Sequence, residues 1–302
     1  MEEMTTGLCP KCGHTLQIPA ELERFSCMYC GERLTKRQLL TQPEEASCSE
    51  EDCAVSFDHA VSRLGWCVQN FRGYQKKILR DAFFEAFETY ETGCAPVIQE
   101  LNSGVRPERQ TELLDRAAEA MLDELSAGWE KKNDMEDEKV ILAIFFVPMV
   151  RKLQLPVSEE FVSLLQKKWV ERYPKSPFYL GDYESISGGF RKKFLGLCFI
   201  TTAVCQELGK PDDCAELTAF RAFRDGYLAA QPDGEALIRE YYNIAPGIVT
   251  CINTCSDRHA SYERIRAQYL TPCYEDLLAG RNADCKTRYV QMVRDLEREY
   301  LN

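Results

Sequence analysis

The opening of the chain carries four cysteines as two pairs, Cys9-Pro10-Lys11-Cys12-Gly13 and Cys27-Met28-Tyr29-Cys30-Gly31, in the spacing C-x2-C-x14-C-x2-C. A two-residue spacer lets both thiolates of a pair turn toward one ion, and a glycine directly after each pair suits the tight knuckle. So short a unit has no core of its own. Metal binding must therefore supply its folding free energy, about 10 kcal/mol or more in zinc-finger peptides. The pattern predicts a zinc ribbon over residues 1–40, with Cys9, Cys12, Cys27 and Cys30 holding a structural Zn2+. A rubredoxin-type iron site uses four thiolates at the same spacing, and spacing alone leaves that alternative open. Between the pairs, Thr15–Ile18 and Arg24–Ser26 are short enough to form a hairpin strand pair. A ribbon does not define a function: such units bind nucleic acid, join subunits or cap a larger domain.

Residues 41–57 are acidic, polar and poor in apolar periodicity, which predicts a linker. Cys48 and Cys53, with Cys67 beyond, make a weak C-x4-C pattern and read as ordinary thiols. From His59 onward the periodicity is helical, and residues 58–302 are expected to form a mostly α, multi-helix bundle. Thr92-Gly93 reads as a helix break, with Pro96 opening a short helix. Val140–Val150 is apolar almost all round, so that helix belongs in the core, with Pro148 kinking or ending it. Pro177, Gly181, Gly188 and Gly189 punctuate the chain and suggest two subdomains split near 175–195. Phe190–Phe194 holds three adjacent cations, read as a solvated edge. Pro246 is expected to start a helix carrying Cys251, Cys255 and His259 at i, i+4 and i+8, a weak second metal pattern.

Fifteen cysteines without a basic-then-apolar leader argue for reduced thiols in the cytoplasm, not a disulfide framework. No apolar run reaches the length of a membrane span, so no membrane partner is expected. A net charge of −11 opposes nonspecific binding to nucleic acid through the overall field.

The densest cluster of notable residues lies later. Cys198-Phe199-Ile200-Thr201-Thr202-Ala203-Val204-Cys205 is followed by Pro211–Cys214, by Phe220-Arg221-Ala222-Phe223-Arg224-Asp225 and by Tyr241–Pro246. On a helix, Cys198, Thr201, Thr202 and Cys205 share one small, hydrogen-bonding face. A second helix from about Asp213 to Ala229 carries Arg221 and Arg224 at the margin of an apolar stripe, where a guanidinium must find partners. Arg221 can pair with Asp225 at i, i+4; alternatively both arginines and the Thr201 and Thr202 hydroxyls face one pocket for an anion or peptide carboxylate. This segment, about 195–250 within Cys198–Asn302, resembles the CFI-box of uncharacterised bacterial proteins. The chain has Thr202 and Cys205-Gln206 where relatives carry Ala and Tyr-Gly; Cys198, Arg224 and Asp225 lie on the matching part. The resemblance implies a bacterial origin but no activity.

Thiol catalysis finds little support, since Asp212 and Asp213 beside Cys214 oppose thiolate formation and Cys198 has no electropositive neighbour in sequence. The expectation is a non-catalytic zinc-binding interaction or adaptor protein with a protein partner. The alternatives are a nucleic-acid-binding regulator acting through the ribbon, or a cysteine-dependent enzyme.

Overall fold

The computed structural model describes residues 4–8, 15–19, 22–29, 31–36, 50–131, 133–191, 198–255 and 257–301. The chain divides into two compact units, Met1–Cys53 and Ala54–Asn302.

The first unit holds two antiparallel strand pairs, β1 (Met4–Leu8) with β2 (Thr15–Pro19) and β3 (Arg24–Ser26) with β4 (Arg33–Thr35). Thr5 lies opposite Ile18, Gly7 opposite Leu16 and Phe25 opposite Leu34. The expected pairing of Thr15–Ile18 with Arg24–Ser26 is therefore corrected. Each strand pairs across its own Cys-x2-Cys segment, because a hairpin closes most cheaply over a short tight turn. Leu16, Cys27 and Leu34 are buried, with Phe25 packed on them. Among the described residues this is a small apolar cluster for a unit of that length.

The second unit is helical, as the periodicity requires. Its elements are α1 (Glu50–Leu64, of which the residues from Ala54 belong to this unit), α2 (Trp66–Gln69), α3 (Phe83–Gly104), α4 (Gln110–Ala127), α5 (Asp134–Ile141), α6 (Val147–Lys152) and α7 (Ser158–Arg172). There follow α8 (Tyr183–Arg191), α9 (Phe199–Glu207), α10 (Ala215–Ala222), α11 (Gly234–Asn253), α12 (Arg258–Ile265), α13 (Thr271–Leu278) and α14 (Asn282–Tyr300). Among the described residues beyond Phe57, the only β pairing is an isolated bridge between Phe178 and Cys255.

Helix α1 starts at Glu50, inside the expected linker. Glu50, Glu51 and Asp52 complement its positive end, while Phe57, Ala60 and Leu64 form a buried stripe. Helix α3 runs unbroken through Gly93 and Pro96, against expectation. Phe87, Tyr90, Cys94, Val97, Ile98 and Leu101 are buried on both sides of those residues, and this continuous stripe outweighs the local propensity.

Ile141–Val150 is wholly buried and forms the middle of the core. The helix continues past Pro148 because Leu142–Phe146 widens into a π turn: the Val147 N–H reaches the Leu142 carbonyl, five residues back. The wider turn comes just where the proline ring would crowd a regular one. The same device precedes Pro272, where the Thr271 N–H bonds the Arg266 carbonyl. Helix α11 likewise passes through Pro246 instead of starting there.

Ala54–Asn302 forms one unit without a division near 175–195. Early and late segments interlock: the Arg80 N–H donates to the Asn243 carbonyl (3.0 Å), and the Asp81 N–H to Asn243 Oδ1 (3.1 Å). A Cβ on Gly247 would stand 1.9 Å from the Ile78 carbonyl oxygen. Buried charge is compensated, as at Glu138, which accepts from Arg72 Nε and Trp129 Nε1, each at 2.8 Å.

Candidate functional site

Cys198 is the N-cap of α9, and its side chain makes no capping bond. The first turn of a helix leaves N–H groups unpaired, and one of them is satisfied from another helix: the Ile200 N–H donates to the Tyr241 hydroxyl of α11 at 2.9 Å. The Tyr289 hydroxyl of α14 donates to the same oxygen at 3.4 Å and lies 3.1 Å from Thr201 Oγ1. Three helices are thus joined by a short chain of hydroxyls. Burial pushes Tyr241 well above the ordinary phenol range and raises Tyr289 too, so both are neutral donor–acceptors at physiological pH.

Beyond α10 the helix continues as a π turn, Phe223–Leu228, in which the Ala229 N–H reaches the Arg224 carbonyl at 3.0 Å. Arg224 is 8% exposed. Its Nε and Nη2 donate to the two carboxylate oxygens of Asp225 at 2.6 and 2.8 Å. Nη1 donates to the Tyr242 hydroxyl at 3.1 Å and contacts Cys198 Sγ at 3.6 Å. The bidentate bond from Asp225 raises the Arg224 pKa, and the same bond lowers that of Asp225. Desolvation raises Cys198 despite the opposing pull of Arg224, which leaves it a thiol.

The sequence candidates divide. Cys198, Arg224 and Asp225 come together, whereas Thr201 belongs to the separate hydroxyl chain that runs through Tyr289 to Tyr241. Arg221 does not join them or pair with Asp225; Nη1 and Nη2 donate to the Asp212 carbonyl and Oδ1, each at 2.8 Å. Thr202 lines a different cleft, with Ser185, Gly189, Glu207 and Arg258. Sequence reasoning missed Tyr242 and Tyr289 as polar partners. The Tyr241-Tyr242 tandem was the available signal, since adjacent helical residues point about 100° apart and deliver two hydroxyls to two sides of one stripe.

Beside this network lies a cleft lined by Phe220, Phe223, Leu228, Leu237, Ile238 and Val293. It contains about 620 Å³ free of protein atoms, much of it open to solvent, and Arg224, Glu240 and Arg294 stand among its walls. Glu240 and Arg294 pair with each other, with Nη2 donating to Oε2 at 2.7 Å.

Among the four ribbon cysteines, Cys27 is buried, and Cys9, Cys12 and Cys30 lie outside the described residues. The Cys27 carbonyl accepts from the Gly31 N–H at 2.9 Å, and Gly31 has φ 73°, a left-handed conformation that glycine adopts without strain. The Cys27 N–H in turn donates to the Glu32 carbonyl at 2.8 Å, which closes the turn. Such a turn fits a metal knuckle.

The Cys251, Cys255 and His259 pattern is corrected. Helix α11 ends at Asn253, so the run is broken; Cys255 Sγ donates to the Cys251 carbonyl at 3.3 Å, and His259 faces Glu207 at 3.4 Å. Cys48 is outside the described residues, and Cys67 packs beside Cys94, which donates to the Cys67 carbonyl at 3.9 Å. Lys192 and Lys193 of the basic run are also outside, whereas Arg191 pairs with Glu184 at 3.0 Å.

Comparison with protein-family models, with curated proteins and with solved structures found no match. No helix among the described residues is long and apolar enough to cross a membrane.

Proposed function

We propose that this chain is a non-catalytic, zinc-binding interaction protein. In this reading Cys9, Cys12, Cys27 and Cys30 hold a structural Zn2+, and the cleft beside Arg224 receives an apolar side chain from a protein partner. The cleft carries the reading: its walls are aromatic and aliphatic, and its charged groups are already engaged, Arg224 by Asp225 and Arg294 by Glu240. Such a surface selects by apolar shape, with paired charges at its margin. The raised Cys198 pKa argues against a nucleophile at this place. The resemblance of Cys198–Asn302 to the CFI-box is consistent with a recognition surface and adds no chemistry.

The test is a photoreactive phenylalanine analogue at Leu237, used in cells with the full chain. A single saturable protein adduct is expected, and it should disappear when Ile238→Glu is added. Failure to form an adduct, or an adduct indifferent to Ile238→Glu, rejects the reading. The structural metal is tested separately: Cys27→Ser should lose the ribbon's zinc by elemental analysis.

A further inference from the structure

A short turn separates α9 from α10. Gly209 enters it with φ 67°, the Lys210 N–H returns to the Cys205 carbonyl at 2.9 Å, and the Cys214 N–H bonds the Pro211 carbonyl at 3.1 Å. The chain therefore doubles back and sets Cys214, at the N-cap of α10, against Cys205, in the last turn of α9. Their sulfurs are 3.8 Å apart. A carboxylate oxygen of Glu216, from the first turn of α10, lies with both sulfurs inside a mutual distance of 4.8 Å. The Arg224 network uses none of these three groups.

We infer that Cys205, Cys214 and Glu216 form a second metal site, for a thiophilic divalent cation such as Zn2+.

Spacing is the first support. Two thiolates bound at about 2.3 Å to one tetrahedral zinc stand about 3.8 Å apart. The sulfurs already have that separation, so the ion enters without spreading the turn. A disulfide would instead have to draw them in to about 2.05 Å and would need an oxidant. Charge is the second. Glu216, in the first turn of α10, already holds one cation, the Lys210 ammonium. Access is the third. Cys205, Lys210 and Glu216 line a narrow cleft, partly open to solvent, with Arg266, Leu270 and Tyr274, along which an ion can approach. Loading exchanges the two S–H protons for one metal ion and releases both to solvent.

The experiment is Co2+ titration of the reduced full chain, followed by thiolate-to-cobalt charge-transfer absorption and tetrahedral d–d bands. In the Cys27→Ser background, which disables the ribbon, one equivalent carrying two thiolates is expected. Adding Cys214→Ser should weaken it by more than about 100-fold, since even changes outside the first coordination shell cost about 10–100-fold. Glu216→Gln, which spares both sulfurs, should weaken binding about tenfold or more while keeping the charge-transfer band. This second variant decides the question if Cys214→Ser fails to fold by circular dichroism.

The inference rests on residues separate from the ribbon, and its failure is distinguishable. Loss of all thiolate absorption with Cys27→Ser overturns the second site and leaves the ribbon standing. An unchanged single equivalent in wild type and Cys27→Ser does the reverse. Unaltered affinity in Glu216→Gln and Cys214→Ser also overturns it.

Discussion

Arg224 shows how one buried charge organises its surroundings. Asp225→Asn removes the bidentate acceptor, and because the carboxylate is exposed the expected loss is only about 1 kcal/mol, read from urea unfolding. The pH dependence has a definite sign. The folded Asp225 pKa is depressed, so its contribution is present above the ordinary carboxylate value of about 3.9 and is lost as pH falls through the lower folded value. Wild type and Asp225→Asn should therefore differ at pH 6, begin to approach one another only below about pH 4, and converge once the pH falls below the depressed folded value. Tyr241→Phe leaves the Ile200 N–H without its acceptor and should cost about 1–2 kcal/mol. A cycle with Tyr289→Phe should be non-additive, because both hydroxyls belong to one chain of bonds. The need for partners at Arg221 and Arg224 was legible from their place beside an apolar stripe, but the partners themselves were not. The expected i, i+4 pair of Arg221 with Asp225 gives way to Arg221 with Asp212 and Arg224 with Asp225. The turn after α9 brings Asp212 back, and a π turn re-aims position 224. Neither event has a periodic trace in the sequence.

Helices in this protein are set by packing more than by their punctuation. Gly93, Pro96 and Pro246 all lie inside helices whose apolar stripes continue past them, and Pro148 and Pro272 follow widened turns. Two glycines separate propensity from packing. Gly247→Ala would drive a methyl into the Ile78 carbonyl and should cost about 3 kcal/mol. Gly226→Ala meets nothing within 4 Å at an exposed helical position and should stabilise by about 0.5–1 kcal/mol. Thermal unfolding of the pair checks both signs. The strand elements teach a complementary lesson. Two of the four described strands, β2 and β3, were readable as short segments between the cysteine pairs, but β1, β4 and the pairing were not, since β2 and β3 are neighbours in sequence and bond to other strands.

For the whole molecule, the two units obey different economies of stabilisation. Among the described residues, Met1–Cys53 has a small apolar cluster of Leu16, Cys27 and Leu34, whereas Ala54–Asn302 buries an aromatic-rich core around Phe145, Phe146 and Trp169. If Cys9, Cys12, Cys27 and Cys30 hold the proposed Zn2+, chelation should abolish the structure of the first unit and leave the far-ultraviolet helical signal nearly intact; collapse of that signal would show that the body depends on metal. With a net charge of −11, the full chain should not be retained on duplex DNA at physiological salt, as a mobility-shift assay would show. The sequence by itself determined the helical class of the body and the central place of the run Val140–Val150, of which Ile141–Val150 is wholly buried. Each follows from residue type and local period, which act over a few neighbouring positions. Only the tertiary structure decided that Tyr241 caps α9 and that Tyr289 links Tyr241 to Thr201. It alone brought Cys205 to Cys214. Those contacts join side chains across turns and between packed helices, where the meeting depends on how the chain folds back and leaves no mark in any local pattern.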